Sequence, residues 1–207
     1  GFKRLYLHCG GAEASEIEAA VAACREAGCA PTLLVGFQAE PTPIEENQLR
    51  RIPVLKHRFP DCRVGFMDHT DGAHFLKGRL VLVALGLGAD CVEKHLTLDR
   101  ALELNDYIAA LSPGDFREFC AEVRAAERAL GEGNLELTAA ERKYAADYRK
   151  RVVVAADLSA GTRLEARHLA LKRTAGMESR ADLFDRVETV VGRVLRRAIG
   201  RNQAVAS

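Results

Sequence analysis

Tryptophan is absent from the 207 residues, methionine occurs twice, and aromatic residues make up only 6%. A chain this poor in flat rings has little on which to stack nucleobases. Tyr148 and Phe184 are the only aromatics in the last 60 residues, where positive charge collects, so nucleic acid is not an expected partner. No apolar run approaches the ~20 residues of a membrane-spanning helix. No secretory leader pattern is visible, so neither a membrane nor export is expected. The six cysteines (Cys9, Cys24, Cys29, Cys62, Cys91 and Cys120) include no C-x-x-C pair. That argues against a structural zinc site and for reduced thiols packed as small hydrophobes, in a cytoplasmic protein. The chain opens on Gly1 and runs almost at once into a strand-like stretch, so a fragment or a processed start is expected.

At 48% hydrophobic and 29% charged, the composition is that of an ordinary globular chain. The length suits one large domain, or one medium and one small. The net charge of +1 is unevenly spread. Residues 1–147 hold 17 basic and 23 acidic side chains, whereas 148–207 hold 13 and 6. A basic tail of this kind can dock on an acidic domain or take an anionic substrate.

Strand and helix patterns alternate from the start. Residues 3–9 read as a strand, and a helix capped by Ser15 runs to Ala27, where Gly28 ends it. Residues 30–36 are apolar throughout, as in a buried parallel strand. A loop with Pro41-Thr42-Pro43 leads into a helix over 45–59, interrupted or restarted at Pro53, with Ile52, Leu55 and Phe59 on one face. A third strand, 62–67, ends in Asp68-His69-Thr70, and a helix follows over 78–87. A fourth strand covers 90–96, then a long loop, then an amphipathic helix over 113–130. Four such units make a parallel α/β fold and half of an eightfold TIM-type barrel. In such barrels chemistry sits at the carboxyl ends of the strands. There the sequence puts His8 and Cys9, Gln38 and Glu40, Asp68 and His69, and Glu93-Lys94-His95.

Histidines ending adjacent strands can share one metal ion. Glu93 and Lys94 then supply an acid and a base beside them. The plainer alternative is an exposed Glu93–Lys94 ion pair next to a packed or capping His95. The domains read as 1–131, a polar helix-prone linker over 132–150, and a small β-rich domain over 151–207. That last domain has a strand over 152–156, a short helix and strand within 164–171, and a β-rich run over 190–198.

Three stretches, Pro41-Thr-Pro-Ile-Glu-Glu-Asn-Gln-Leu49, Val64-Gly-Phe-Met-Asp-His-Thr70 and Ala84-Leu-Gly-Leu-Gly-Ala-Asp-Cys-Val-Glu-Lys-His-Leu-Thr-Leu-Asp99, stand in the order and spacing of the sialic acid synthases. The chain thus resembles the N-acylneuraminate synthase family, over the last four units of its barrel. Val153-Ala-Ala-Asp-Leu-Ser-Ala-Gly-Thr-Arg-Leu164, Leu171-Lys-Arg173 and Val191-Gly-Arg-Val-Leu195 resemble that family's C-terminal SAF, or antifreeze-like, domain. The resemblance implies a condensation of phosphoenolpyruvate with N-acetylmannosamine, its 6-phosphate or a related N-acylated amino sugar. It implies a divalent metal, Mn²⁺ or Mg²⁺, on His69 and His95, and sugar contacts from Glu93 and Asp106. It also implies a homodimer in which the SAF domain lends Arg173 to the partner's barrel.

Departures from the family pattern fall at Met67, where a serine is usual, and at Gln38 and Glu40, where asparagine and tyrosine help hold phosphoenolpyruvate. Leu104-Asn-Asp-Tyr107 replaces Gly-Pro-Asp-His. The expected function is therefore a metal-dependent condensing enzyme, with this chain alone inactive. The alternative is a non-catalytic family member that acts as a sugar-binding or assembly module.

Overall fold

The structure, a computed structural model, describes residues 4–173 and 182–206. Residue 3, expected to begin the first strand, lies outside these, as do 174–181 and 207 of the expected C-terminal domain. The chain divides into two units, residues 1–133 and 134–207.

In the first unit four parallel strands, β1 (Tyr6–His8), β2 (Thr32–Val35), β3 (Arg63–Asp68) and β4 (Cys91–Lys94), lie side by side in sequence order. Each is followed by a helix: α1 (Ala14–Glu26), α2 (Arg51–Arg58), α3 (Leu80–Gly86) and α4 (Pro113–Leu130). Among the described residues β1 has a ladder partner on one side only. β3 shows how the sheet sorts its side chains. Val64 and Phe66 enter the core with Val21, Ile52, Leu55 and Val81 from the helices. Gly65 and Met67 take the other face, as two-residue alternation requires. Any side chain at Gly65 would run into Cys91 and Leu34 from the neighbouring strands. Register pairs Met67 with Glu93 and Asp68 with Lys94.

Local details depart from the sequence reading. The backbone N–H of Glu13, not Ser15, opens α1, donating to the Glu16 carboxylate at 2.8 Å. The helix expected over 45–59 is two pieces, a 3₁₀ turn at Ile44–Asn47 and then α2. Gln48 at φ 48° separates them. Pro53 sits in the first turn of α2, where its missing N–H has no intrahelical acceptor to lose. The loop expected over 99–113 contains a 3₁₀ turn at Arg100–Leu102, and its Leu111 bridges back to Leu96 beside β4.

At the start of α4, Ser112 caps the helix through its hydroxyl, which accepts the Asp115 N–H at 3.3 Å, with Pro113 at the first position. The Asp115 carboxylate accepts from Lys77 Nζ at 2.6 Å and from the Ser112 hydroxyl at 2.8 Å. These bonds, the Lys77 one foremost, hold the Asp115 carboxyl below its ordinary range. A depressed carboxylate stabilises the fold above its unfolded-state value, and that contribution is lost as pH falls through the folded one. Asp115→Asn is expected to lower urea stability at pH 6 by up to ~1 kcal/mol, with the gap to the parent closing below about pH 4. A gap that stays constant from pH 6 to pH 3 would rule out this linkage.

The second unit opens with α5 (Ala139–Tyr148), capped reciprocally by Thr138 and Glu141. The helix-prone stretch expected as linker is thus helical over 139–148. β5 (Arg151–Val154) and β6 (Leu169–Lys172) pair antiparallel, over a core of Val152, Val154, Leu164, Leu169, Val190 and Val205. The run 190–198 is not a strand. Gly192, at φ 87°, turns the chain, and the run contributes one isolated bridge, Val194 to Arg163. Its apolar residues reach the core from turns, which sequence alternation alone cannot distinguish from a strand.

Candidate metal centre

His69 and His95 each stand one residue beyond a strand end, after β3 and β4. Alternation turns both toward the Met67 and Glu93 face, away from the helices. Their Nε2 atoms lie 2.9 Å apart, with ring centroids at 4.7 Å and planes at 66°. Glu93 joins them, and the ligand-type atoms of the three lie within 4.8 Å of one another. His69 is buried, whereas Glu93 is exposed and His95 half-buried. Burial pushes the His69 imidazole below its ordinary pKa, and the neighbouring His95 adds to this. His69 Nδ1 is buried without a hydrogen-bond partner. These features fit a divalent ion. Two nitrogens each roughly 2.1 Å from one ion, at a right angle, lie ~3 Å apart. Neutral imidazole is the ligating form, and the carboxylate supplies charge.

Two loops frame the cluster. In the loop after β4, Asp106 adopts φ 58°, a left-handed conformation that Asp tolerates better than most residues. Its Oδ2 lies 3.7 Å from His95 Nδ1, beyond hydrogen-bond range. Arg100 holds this loop. One terminal nitrogen donates to the carbonyls of Tyr107, Ile108 and Ala110 at 2.9, 2.8 and 2.6 Å, and the other to Asp71 Oδ1 at 3.1 Å. In the loop after β2, buried Thr42 donates its N–H to the His69 carbonyl at 2.9 Å and its hydroxyl to the Phe37 carbonyl at 2.8 Å. That brings Glu40 against Asp106, whose carboxyl holds Glu40 above the ordinary carboxylate range.

The structure therefore brings together His69, His95, Glu93, Asp106 and Glu40. Met67 is buried, opposite Glu93 in the register. Gln38 is exposed and makes no hydrogen bond among the described residues. His8 lies at the end of β1 with Nε2 3.0 Å from the Gly36 carbonyl, while Cys9 is in the core. Arg173 belongs to the second unit, exposed after β6, with its guanidinium 5.8 Å from the Tyr148 ring centre.

Lys94 departs from the reading of it as a base beside Glu93. It shares the helix-side face with Val92, and its ammonium is fully buried. Strand alternation is the physical reason. Burial pushes its pKa down, and Asp68 opposes the shift. Sequence reasoning missed Arg100 and Thr42. Their only signal was position, just after the Asp99 that ends the quoted stretch and between the two prolines.

Comparison with known proteins finds a family model for each of the two units. The NeuB family model matches residues 2–135, and the SAF domain model matches 149–206. The chain belongs to the NeuB family and carries a SAF domain. It is 32% identical over 176 residues to the N,N'-diacetyllegionaminic acid synthase of Campylobacter jejuni, covering 84% of this chain and 51% of that one. It is 34% identical over 134 residues to the N-acetylneuraminate-9-phosphate synthase of Mus musculus, covering 65% and 36%. Among solved structures, the N-acetylneuraminic acid synthetase of Leptospira borgpetersenii superposes with a TM-score of 0.60 at 30% identity, over 67% of this chain and 47% of that one. A putative spore coat polysaccharide biosynthesis protein E from Chromobacterium violaceum shares the fold across 100% of this chain and 60% of its own, with a TM-score of 0.75 at 21% identity. The chain spans about half the length of the curated relatives it matches most extensively.

Proposed function

We propose that this chain is the second half of the barrel, with the SAF domain, of an enzyme that condenses phosphoenolpyruvate with the aldehyde of an N-acylated amino sugar. The observation that carries the reading is the His69–Glu93–His95 group at the strand ends of a NeuB-family sheet. Bound by these three side chains, Mn²⁺ or Mg²⁺ would act as a Lewis acid on the aldehyde oxygen. Asp106 stands beside His95, its Oδ2 3.7 Å from Nδ1, while His95 Nε2 faces His69. Asp106 and Glu93 also offer carboxylates to sugar hydroxyls at the open side of the cluster. In the reaction, C3 of phosphoenolpyruvate forms a bond to the aldehyde carbon, water adds at C2, and the C2–O bond breaks to release phosphate. The proposal also takes in domains over 1–131 and 151–207 joined by 132–150, a cytoplasmic homodimer, and Arg173 serving the partner's site.

A second reading, a non-catalytic sugar-binding or assembly module, is favoured by Glu40 and Met67. Glu40 puts a carboxyl beside Asp106 where a dianionic substrate would approach, and Met67 offers no hydroxyl. Phosphate release from phosphoenolpyruvate and N-acetylmannosamine with Mn²⁺ separates the two readings. The chain alone is expected to be inactive, and the full-length parent active. Glu40→Tyr with Met67→Ser in the parent is expected to tighten phosphoenolpyruvate binding about fivefold, by removing a carboxyl and adding a hydroxyl where the anion would approach. A full-length parent that releases no phosphate with N-acetylmannosamine, its 6-phosphate or related amino sugars would leave the module reading standing.

A further inference from the structure

The group beneath the two histidines has no place in the chemistry above. Lys94 and Asp68 face each other across β3 and β4, and both side chains are fully buried. The Lys94 ammonium lies 3.4 Å from Asp68 Oδ1 and donates to the Asp68 carbonyl at 3.2 Å and the Thr70 carbonyl at 2.8 Å. Those two carbonyls flank His69, and Lys94 itself immediately precedes His95. Asp68 Oδ1 in turn accepts the Thr70 N–H at 2.9 Å and its hydroxyl at 2.5 Å.

Stability does not explain the arrangement. Taking two charges out of water is costly, and apolar side chains of similar volume often serve a core as well or better. The neighbouring core-facing positions, Phe66 and Val92, are apolar in just this way. Asp68 Oδ2 is even left buried without a partner. What the pair supplies is position, since it ties the backbone on both sides of one histidine to the residue next to the other.

We propose that Lys94 is a positioning residue, which with Asp68 and Thr70 fixes the separation and aim of the His69 and His95 rings. This rests on reading the two histidines as metal ligands. Outer groups that orient ligands are commonly worth tenfold to a hundredfold in metal affinity.

Cobalt(II) is the probe, because its visible absorption reports coordination geometry as well as binding. Lys94→Met/Asp68→Asn removes both charges together and leaves no unpaired ion in the core. It is expected to keep the circular dichroism of the parent, to bind Co²⁺ at least tenfold more weakly, and to show an altered absorption band. Thr70→Val is expected to weaken Co²⁺ binding severalfold, and Thr70→Ser to restore it. A folded double variant with the parent's affinity and spectrum overturns the proposal. If the double variant does not fold, the Thr70 pair decides: parent-like cobalt binding by Thr70→Val overturns it. A parent chain that binds no Co²⁺ removes the metal centre, and the positioning role with it. A parent that binds beside indifferent variants removes the positioning role alone.

Discussion

His95→Ala is expected to bind Mn²⁺ at least about a hundredfold more weakly than the parent chain, while melting within a few degrees of it. The imidazole contributes a ligand, and losing a ligand exceeds the tenfold to hundredfold typical of outer groups. A hundredfold loss corresponds to ~2.7 kcal/mol. The fold is spared because the His95 side chain is 25% exposed and, among the described residues, its polar partners are the site residues His69 and Asp106. Titration followed by the electron paramagnetic resonance signal of free Mn²⁺ measures the change directly. Equal binding by parent and variant would remove His95 from the metal centre.

The largest effect on stability is expected at Phe66. Its ring is wholly buried in β3, between β2 and β4, under the helices. Phe66→Ala removes a large apolar side chain and leaves a cavity that a sheet held from both sides cannot close. Such changes cost about 3–5 kcal/mol, against a total of roughly 5–15 kcal/mol for a domain. Phe75, at 73% exposure, is the control, and its replacement by alanine is expected to stay within about 0.5 kcal/mol. Urea unfolding of the two variants checks the contrast. Similar midpoints would mean that Phe66 does not carry the core.

The parallel half barrel was legible because its strands are short, apolar and punctuated by glycine, and because polar groups gather where each strand ends. The two histidines could be read for the same reason. The face taken by Lys94 was equally legible. Along Cys91-Val92-Glu93-Lys94, alternation sets the lysine with Val92 and against Glu93, and chemical attractiveness of the residue obscured a rule of period two. Arg100 and Thr42 are a different case. Arg100 acts on main-chain carbonyls seven to ten residues on, and the Thr42 N–H on the His69 carbonyl just past β3, and no side-chain pattern encodes which carbonyls a loop will turn inward. The approach of Glu40 to Asp106 joins two loops 66 positions apart, and it depends on Thr42 hanging one of them from His69. In the second unit, a glycine turn and one isolated bridge replace a strand because a small core can be filled from turns as readily as from a ladder.

The single-sided pairing of β1 bears on how this chain behaves in a tube. Its outward backbone donors and acceptors form a short adhesive strip, three residues long, along one margin of the sheet. Such a margin recruits whatever extended segment is nearest. A second copy of the chain supplies one such segment, so soluble yield should fall as the chain's concentration rises. Supplying a complementary strand margin alongside the chain would then act as a solubiliser before it acted as anything else.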